Sequence, residues 1–421
     1  MRFCFVHAAD LHLDTPFEGL SRVNAALGDR LRDASLDAFD NLVRLAIERG
    51  AEFLVLAGDV YDGADRGVRA QLRFLRGLKK LAFEGIPVFV VHGNHDPLDG
   101  WSAIRDWPTN VTLFGAAGVE SHPVHRDGIR IATVHGMSYP RRDVTENLAL
   151  RFRGDSSPGL HIGLLHCAVG AVGDHALYSP CTIEDLYRGG MDYWALGHVH
   201  DRRVLRERDP WIVYPGNLQG RSTKPSERGA KGAVVVHVDD GVVERVEFVP
   251  CDRARFVDVE VDVSGAQGLP DVEAACLDAL NRVRKEQRGV ELIARIRLTG
   301  RSAAHHDLRR GGGTSERLLE ALRDELGGGP SPLWCESVRD ETRGELNLDA
   351  IRRRGDFAAA VLQRADELCA DDARLAAFCE EYLSAPTSED VAPIAGPEGR
   401  RALIASAVEM ALDLLEAQES S

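Results

Sequence analysis

Five times within the first 200 residues an apolar run of strand length breaks off into a short polar motif: Asp10-Leu-His12, Gly58-Asp59-Val-Tyr-Asp62, Gly93-Asn94-His95-Asp96, His166, and Gly197-His198-Val-His200. The runs that precede them, residues 3–6, 53–57, 87–91, 160–165 and 193–196, are continuous enough for strands buried on both faces, and a further run lies at 130–134. Between some of them apolar residues recur at helical spacing. Leu36, Phe39, Val43 and Ala46/Ile47 form one stripe stopped by Gly50, and Leu72, Leu75, Leu78 and Leu81/Ala82 form another stopped by Gly85. Alternating strand and helix predicts an α/β layered domain over residues 1–250, with sheet at its centre. In an open sheet of this kind the carboxyl ends of the strands converge on one crevice, so the five motifs are expected to meet in a single site.

The residue types agree with one site. Asp10, Asp59, Asn94, His12, His166, His198 and His200 make an oxygen-and-nitrogen donor set with no thiolate, suited to Mn²⁺, Fe or Zn. Seven ligands are too many for one tetrahedral ion. They suit two divalent cations about 3.5 to 4 Å apart with one carboxylate shared, an arrangement that generates a hydroxide nucleophile and clamps both sides of an in-line phosphoryl displacement. Charge points the same way: two such ions bring about +4 against about −2 from Asp10 and Asp59, which leaves a surplus for a phosphate. A neutral Asn94 preserves that surplus.

The rest of the chain changes character after Pro250. Val257, Val259, Val261 and Val263 alternate with Asp258, Glu260 and Asp262; a helical stripe follows (Val272, Cys276, Leu280, Val283), and Val290, Leu292, Ala294, Ile296 and Leu298 alternate again. That is a small β-α-β unit at 251–310, extending to about 345. Residues 309–314 read as a linker. Residues 346–421 read as largely helical, with a Pro-rich break at 385–399 before a last helix whose apolar stripe is Leu403/Ile404, Ala407/Val408, Ala411/Leu412 and Leu415. Residues 1–250 hold 29 Lys+Arg against 33 Asp+Glu and residues 251–421 hold 22 against 33, so the acidity of a chain of net charge −15 lies mostly in the second half. Such a balance argues against a general nucleic-acid coat and leaves a local site open. Eight cysteines without C-x-x-C spacing fit reduced, buried thiols. No apolar run approaches the ~18 residues that span a bilayer, and a cleaved leader would remove the first motif, so a cytoplasmic protein with no membrane partner is expected.

In this order, D-x-H, G-D-x-x-D, G-N-H-D, a lone His and G-H-x-H resemble the motif set of the calcineurin-like metallophosphoesterases. Ala9-Asp-Leu-His-Leu-Asp14, Ala57-Gly-Asp-Val-Tyr-Asp62, and Val213-Tyr-Pro-Gly-Asn-Leu-Gln-Gly-Arg221 followed by Gly229-Ala-Lys-Gly232 resemble the bacterial DNA-repair exonuclease branch, the SbcD and YhaO type. The resemblance is strong over the first 250 residues and weaker over the β-α-β unit, and it does not extend to the helical remainder. It implies an α/β fold: a four-layer-like β-sandwich flanked by helices, a small β-α-β capping domain, and a helical C-terminal region. It implies that Asp10, His12, Asp59 and His200 hold one metal with Asp59 bridging, and that Asn94, His166 and His198 complete the second. His95 would then be the general acid for the leaving oxygen, and Asp96 would orient its ring. The implied cofactors are two divalent ions, Mn²⁺ foremost. The implied partners are double-stranded DNA ends and a long coiled-coil ATPase of the SMC-like ABC type, for which the helical C-terminal region would be the docking place. Two departures from wider relatives stand out. Asp62 occupies a place where archaeal and eukaryotic nucleases of the family carry His, and Gly63 and Asp96 stand where the protein-phosphatase branch has Arg and Glu.

Asp62, His135, Asn217 and Arg221 are further candidates for substrate contact, whereas His92 and His161 read as packed residues. Residues 201–231 carry eight Lys+Arg against four acids, which reads as a DNA-backbone rail or as an ordinary solvated hairpin. Tyr61 and Trp101 could stack on a base or belong to the core. The acidic face of 257–263 is expected to point away from a duplex. The last helix packs on its own domain or docks a partner, and a homodimer is equally open. The reading favoured by the whole pattern is a two-metal nuclease acting on DNA ends. A metallophosphoesterase on a cyclic nucleotide or phosphomonoester, and a DNA-end tethering subunit of an ATPase complex, are the alternatives.

Overall fold

The computed structural model describes all residues except 16–27, 29, 30, 32, 64–66, 171–177, 310–313, 327–332, 383–395, 420 and 421, so the middle of the linker expected at 309–314 and most of the Pro-rich break lie outside the described residues. The chain divides into two compact units, one of residues 1–259, 280–296 and 321–337, the other of residues 260–279, 297–320 and 338–421.

In chain order the first unit begins with β1 (Phe3–Ala8), α1 (Ala34–Glu48), β2 (Leu54–Ala57), α2 (Val68–Phe83), β3 (Val88–Val91), β4 (Val111–Leu113), β5 (Glu120–Arg126), β6 (Ile129–Gly136), β7 (Leu160–His166), α3 (Ile183–Arg188), β8 (Tyr193–Gly197), β9 (Arg203–Arg206), β10 (Trp211–Tyr214), β11 (Gly232–Asp239) and β12 (Val242–Pro250). The strands form two six-stranded sheets, β12-β11-β1-β2-β3-β4 and β5-β6-β7-β8-β10-β9. In the first, β1 to β4 are parallel and β11 and β12 antiparallel; in the second, β6, β7, β8 and β10 are parallel and the edge strands β5 and β9 antiparallel.

The two-residue period of a strand sorts the side chains. Phe5, Val55 and Phe89 share one core with Val134, Ile162 and Tyr193 of the other sheet. Val6, Leu54, Leu56 and Val90 pack instead with Phe39, Leu42, Phe74 and Leu78 of α1 and α2. On the far side of the second sheet Leu165, Trp194 and Ile212 meet Leu186 of α3 and Tyr139. The result is helix, sheet, sheet, helix: four layers in which the central strands are buried on both faces, as their continuous apolar runs require. Antiparallel β5 was not legible, because Glu120-Ser-His-Pro-Val-His-Arg126 is an edge strand with mostly exposed polar side chains.

Beyond residue 250 come β13 (Ala254–Asp262), α4 (Leu269–Glu286) and β14 (Glu291–Thr299), the expected β-α-β order, then α5 (His305–Arg309), α6 (Thr314–Leu326) and β15 (Leu333–Asp340). The three strands form a sheet in the order β13-β14-β15. The chain ends in α7 (Leu348–Arg354), α8 (Phe357–Cys369), α9 (Asp372–Tyr382) and α10 (Gly396–Glu419). Leu412 and Val408 of α10 pack with Ile351, Ala358 and Leu362, and Ile404 packs with Leu375 and Cys379, so the last helix covers its stripe on its own unit. All eight cysteines are free thiols, six of them buried. Among the described residues no helix is long and apolar enough to cross a membrane.

A candidate two-cation centre at the strand ends

Asp10 and His12 follow β1, Asp59 and Asp62 follow β2, Asn94, His95 and Asp96 follow β3, His166 is the last residue of β7, and His198 and His200 follow β8. These are carboxyl ends of parallel strands, and the fold brings them together. Ligand-type atoms of Asp10, His12 and His200 lie within 4.8 Å of one another, as do those of Asp10, Asp59 and His166, and those of His12, Asp62 and His95. The backbone past β1 stays alongside that past β2: the amides of Asp10, His12 and Leu13 donate to the carbonyls of Gly58, Asp59 and Val60 at 3.1, 3.0 and 2.9 Å. Asp10, His12, Asp59 and His198 all have positive φ, at 52°, 42°, 50° and 105°. Such backbone strain, of order 1 to 3 kcal/mol per residue, persists where surrounding structure over-determines it, as at functional sites. Gly58 (φ 89°) is needed for closeness as well as conformation, since a Cβ there would sit 2.5 Å from His166 Nδ1.

Hydrogen bonding fixes which atoms face inward. The carbonyl of Ala57 can only accept, so His166 donates to it from Nδ1 at 2.9 Å. Burial, chiefly, pushes the His166 pKa down to about 4, so Nε2 carries a lone pair rather than a proton. That lone pair faces Asn94 Oδ1 at 3.0 Å and Asp59 Oδ2 at 3.4 Å, both acceptors. His200 likewise donates from Nδ1 to Glu227 Oε1 at 2.7 Å and turns Nε2 toward His12 Nε2, 3.2 Å away. His12 Nδ1 lies 2.9 Å from Asp62 Oδ1. Burial, then the charge of Arg221, holds the His12 pKa well below its ordinary value.

Carboxylates complete the set. Both oxygens of Asp10 accept from the His198 amide at 3.1 Å, and Asp59 Oδ1 accepts from the His95 amide at 2.8 Å. Burial, and then Asp59, push Asp10 well above the usual carboxylate range. Burial also raises Asp59 to about 7, against the pull of His95 and with the repulsion of Asp96. Nitrogen and oxygen donors converging on one space, and two buried carboxyls that resist ionising together, are the donor set a divalent cation satisfies. The residues fit the cations that the sequence implied.

His95 is a third exposed, with Nδ1 3.3 Å from the Asp62 carbonyl and 3.5 Å from Asp62 Oδ1. Asp96, expected to orient that ring, accepts from the amides of Gly93 and Val60 at 2.9 Å each and lies 3.2 Å from His92 Nδ1, so it ties the β3 loop to the β2 loop. The carboxylate beside His95 Nδ1 is that of Asp62. Arg221 Nη1 donates to Asp62 Oδ1 at 2.8 Å. Burial would raise Asp62, but His12, Arg221 and His95 outweigh it and hold the carboxyl well below its usual range.

Two candidate substrate contacts sit elsewhere. His135 is buried on β6, with Nδ1 2.8 Å from Ser121 Oγ and Nε2 3.0 Å from His161 Nδ1, in a stack that spans β5, β6 and β7. Asn217 is fully buried behind His200, donating from Nδ2 to Gln219 O at 2.9 Å and Glu227 Oε2 at 2.8 Å. Nor are residues 201–231 a row of free cations. Lys231 is buried with Nζ on His200 O at 2.9 Å, Arg228 pairs with Asp258, Arg203 pairs with Asp201 at 3.3 Å, and Arg202 and Arg206 lie over the rings of Phe248 and Tyr187. Tyr61 is core, packed on Phe74, while Trp101 is exposed. The residue the sequence reading missed is Glu227, counted there only as one acid among four; its position between Arg221 and Lys231 is the sole trace of its role.

A family model described as calcineurin-like phosphoesterase matches residues 4–202, and one described as metallophosphoesterase YhaO, middle domain, matches residues 256–343. The chain is 37% identical over 345 residues to the uncharacterized metallophosphoesterase YhaO of Bacillus subtilis, across 82% of this chain and 83% of that protein. It is 26% identical over 392 residues to the DNA double-strand break repair protein Mre11 of Methanopyrus kandleri, across 86% and 78% of the two chains. A protein of the same name from Archaeoglobus fulgidus is 26% identical over 305 residues, across 67% and 66%.

Proposed function

The chain belongs to the calcineurin-like phosphoesterases, and from that premise we propose that it is a two-cation phosphodiesterase that degrades DNA from double-stranded ends. The observation that carries the reading is the facing of His166 Nε2, Asn94 Oδ1 and Asp59 Oδ2, three acceptors that a cation reconciles. In this reading Asp10, His12, Asp59 and His200 hold one divalent ion and Asp59, Asn94, His166 and His198 the other, with Mn²⁺ as the working metal. Bound there, the two ions supply Lewis-acid polarisation of the phosphoryl group and activation of water.

The chain's own residues do the rest. His95 has Nδ1 turned to Asp62, which leaves Nε2 to face the leaving nucleoside oxygen; from the doubly protonated ring Nε2 would deliver the proton that oxygen needs, assistance worth about 10² to 10⁴ in rate. Asp62 holds that ring, and Arg221 holds Asp62. DNA ends are favoured as substrate by the Tyr214–Arg221 block and by relatives that are named for double-strand break repair. A coiled-coil ATPase that presents the ends belongs to the same reading.

The test is digestion of an end-labelled linear duplex in Mn²⁺, by the chain alone and with a coiled-coil ATPase from its own organism, beside a closed circular duplex and His95→Asn. A ladder that grows from the ends, absent for the circle and for the variant, is the expected result. Turnover of bis(4-nitrophenyl) phosphate with neither DNA cut, with or without the ATPase, would move the substrate to a small phosphodiester. Binding of ends with no ester turned over at saturating Mn²⁺ would make the chain a tether.

A further inference from the structure

We propose that Glu227 is a positioning residue for His200, fixing the tautomer and ring orientation on which one of the two cation sites depends; the proposal rests on the reading of His200 as a ligand. Glu227 is a buried carboxylate, with its side chain 6% exposed, and it lies outside the five motifs. A buried carboxylate with an unfilled lone pair would be strongly destabilising, so its partners say what it is for. Oε1 accepts from His200 Nδ1 at 2.7 Å, with Arg221 Nη2 at 3.7 Å. Oε2 accepts from Asn217 Nδ2 at 2.8 Å and from the Arg221 amide at 3.0 Å. Donors reach both oxygens, and one of them is the ring of a site histidine.

The consequence is specific to that ring. With Nδ1–H committed to Glu227, His200 must present the Nε2 lone pair toward His12 and Asp10, the form in which an imidazole binds a metal. His166 gets the same service from a main-chain carbonyl, that of Ala57, which no side-chain substitution removes. For His200 the acceptor at Nδ1 is a side-chain carboxylate, which a substitution can remove. The surrounding segment is built to hold it: Lys231 Nζ bonds the carbonyl of His200 at 2.9 Å and that of Ser226, so the backbone at both ends of the Glu227–His200 bond is tied to one ammonium. The conspicuous block from Asn217 to Arg221 then serves Glu227 from behind instead of touching substrate through Asn217. Arg221 reaches forward from the same carboxylate to Asp62, so Glu227 stands between a metal-ligand position and the group beside His95.

Titration calorimetry of Mn²⁺ into the full chain tests this, with Glu227→Gln, Glu227→Ala and His200→Ala, alongside the Mn²⁺ dependence of bis(4-nitrophenyl) phosphate turnover. The native chain is expected to bind two ions and His200→Ala one. Glu227→Gln is expected to bind two with one site weakened about 10- to 100-fold, as for other groups that orient metal-bound histidines. Its turnover should need correspondingly more Mn²⁺ yet approach the native rate at saturation. Glu227→Ala should be weaker than Glu227→Gln, whose amide oxygen still accepts from His200. A role in folding alone would lower thermal stability and leave both affinities, or move both together; either result in the soluble Gln variant overturns the proposal. If His200→Ala still binds two ions as tightly as the native chain, the ligand reading itself fails, and that outcome is distinct from an unaltered Glu227→Gln isotherm beside a one-site His200→Ala.

Discussion

His166 and Asn94 meet at 3.0 Å through two atoms that both accept, Nε2 and Oδ1, while Asp59 Oδ2 stands 3.4 Å from the same nitrogen. A cation bound there would be held by residues that follow β2 and β3 and by the last residue of β7, and would tie the three strand ends together. Divalent metal is therefore expected to stabilise the chain, by about 2.7 kcal/mol at a hundred times its dissociation constant. Asp59→Asn removes a buried carboxyl that burial already raises to about 7. Its metal-free melting temperature in chelator should equal or exceed the native one, while its shift on adding Mn²⁺ disappears. A variant that melts lower in chelator yet keeps the full Mn²⁺ shift would mean that Asp59 is structural and the cation lies elsewhere.

Gly197 is the narrowest point behind the cluster. A Cβ there would fall 1.9 Å from the Ala57 carbonyl and 2.9 Å from His166 Nδ1, the two partners of the bond that sets the His166 tautomer. Gly197→Ala should destabilise the fold by about 1 to 3 kcal/mol, as overpacking does, and should abolish the Mn²⁺-induced rise in melting temperature. Gly118, where a Cβ meets nothing within 4 Å, supplies the control: Gly118→Ala stays within about 0.5 kcal/mol and keeps the Mn²⁺ response. Urea unfolding with and without Mn²⁺ reads both.

The acid step should show in the leaving group. Nitrophenolate departs without a proton and a nucleoside oxygen does not, so His95→Asn is expected to lose about 10²- to 10⁴-fold on a dinucleotide and little on bis(4-nitrophenyl) phosphate, with Mn²⁺ affinity kept. Asp62→Asn should follow the same pattern more weakly, because Asp62 lies 3.5 Å from His95 Nδ1. Asp96→Asn, which disturbs bonds to Gly93, Val60 and His92, should depress both esters equally. Selective loss in Asp96→Asn and not in Asp62→Asn would return the orienting role to Asp96.

What the sequence made legible follows a physical rule. Buried parallel strands must be apolar on both faces, so β1, β2, β3, β7 and β8 announce themselves, and their polar ends mark the site with them. Elements with one wet face hide: β5 and β9 carry the charges and hydroxyls that a loop would carry. The same holds within the site. Asp10, His12, Asp59, Asn94, His166, His198 and His200 stand at strand ends in recognisable spacing. Glu227, by contrast, reaches His200 from a loop 27 residues away, and a partnership set by tertiary contact leaves no spacing to read. His135 misled in the opposite sense. It stands near a strand end as the clustered residues do, but pairing β6 with β5 and β7 turns it onto Ser121 and His161.

Acid should weaken the fold through His7. This ring is fully buried between the sheets, donating from Nε2 to Leu196 O at 3.2 Å and accepting from Tyr193 Oη at Nδ1, 3.0 Å away. Burial pushes its pKa from 6.5 down to about 3. Between those values the unfolded chain binds a proton that the folded chain refuses, so stability is full above about pH 6.5 and falls as pH drops toward 3, by about 1.4 kcal/mol per unit once below about pH 6. Asp10 and Asp59, whose carboxyls are raised in the fold, act with the opposite sign, so the measurement is a difference. His7→Gln keeps a donor for Leu196 and an acceptor for Tyr193 but cannot be protonated. The native unfolding free energy minus that of His7→Gln, in chelator, should be constant above pH 7 and fall steadily from pH 6 to pH 4. A difference flat across that range would mean that His7 is charged in the folded protein, and that the pair it makes with Tyr193 carries a proton.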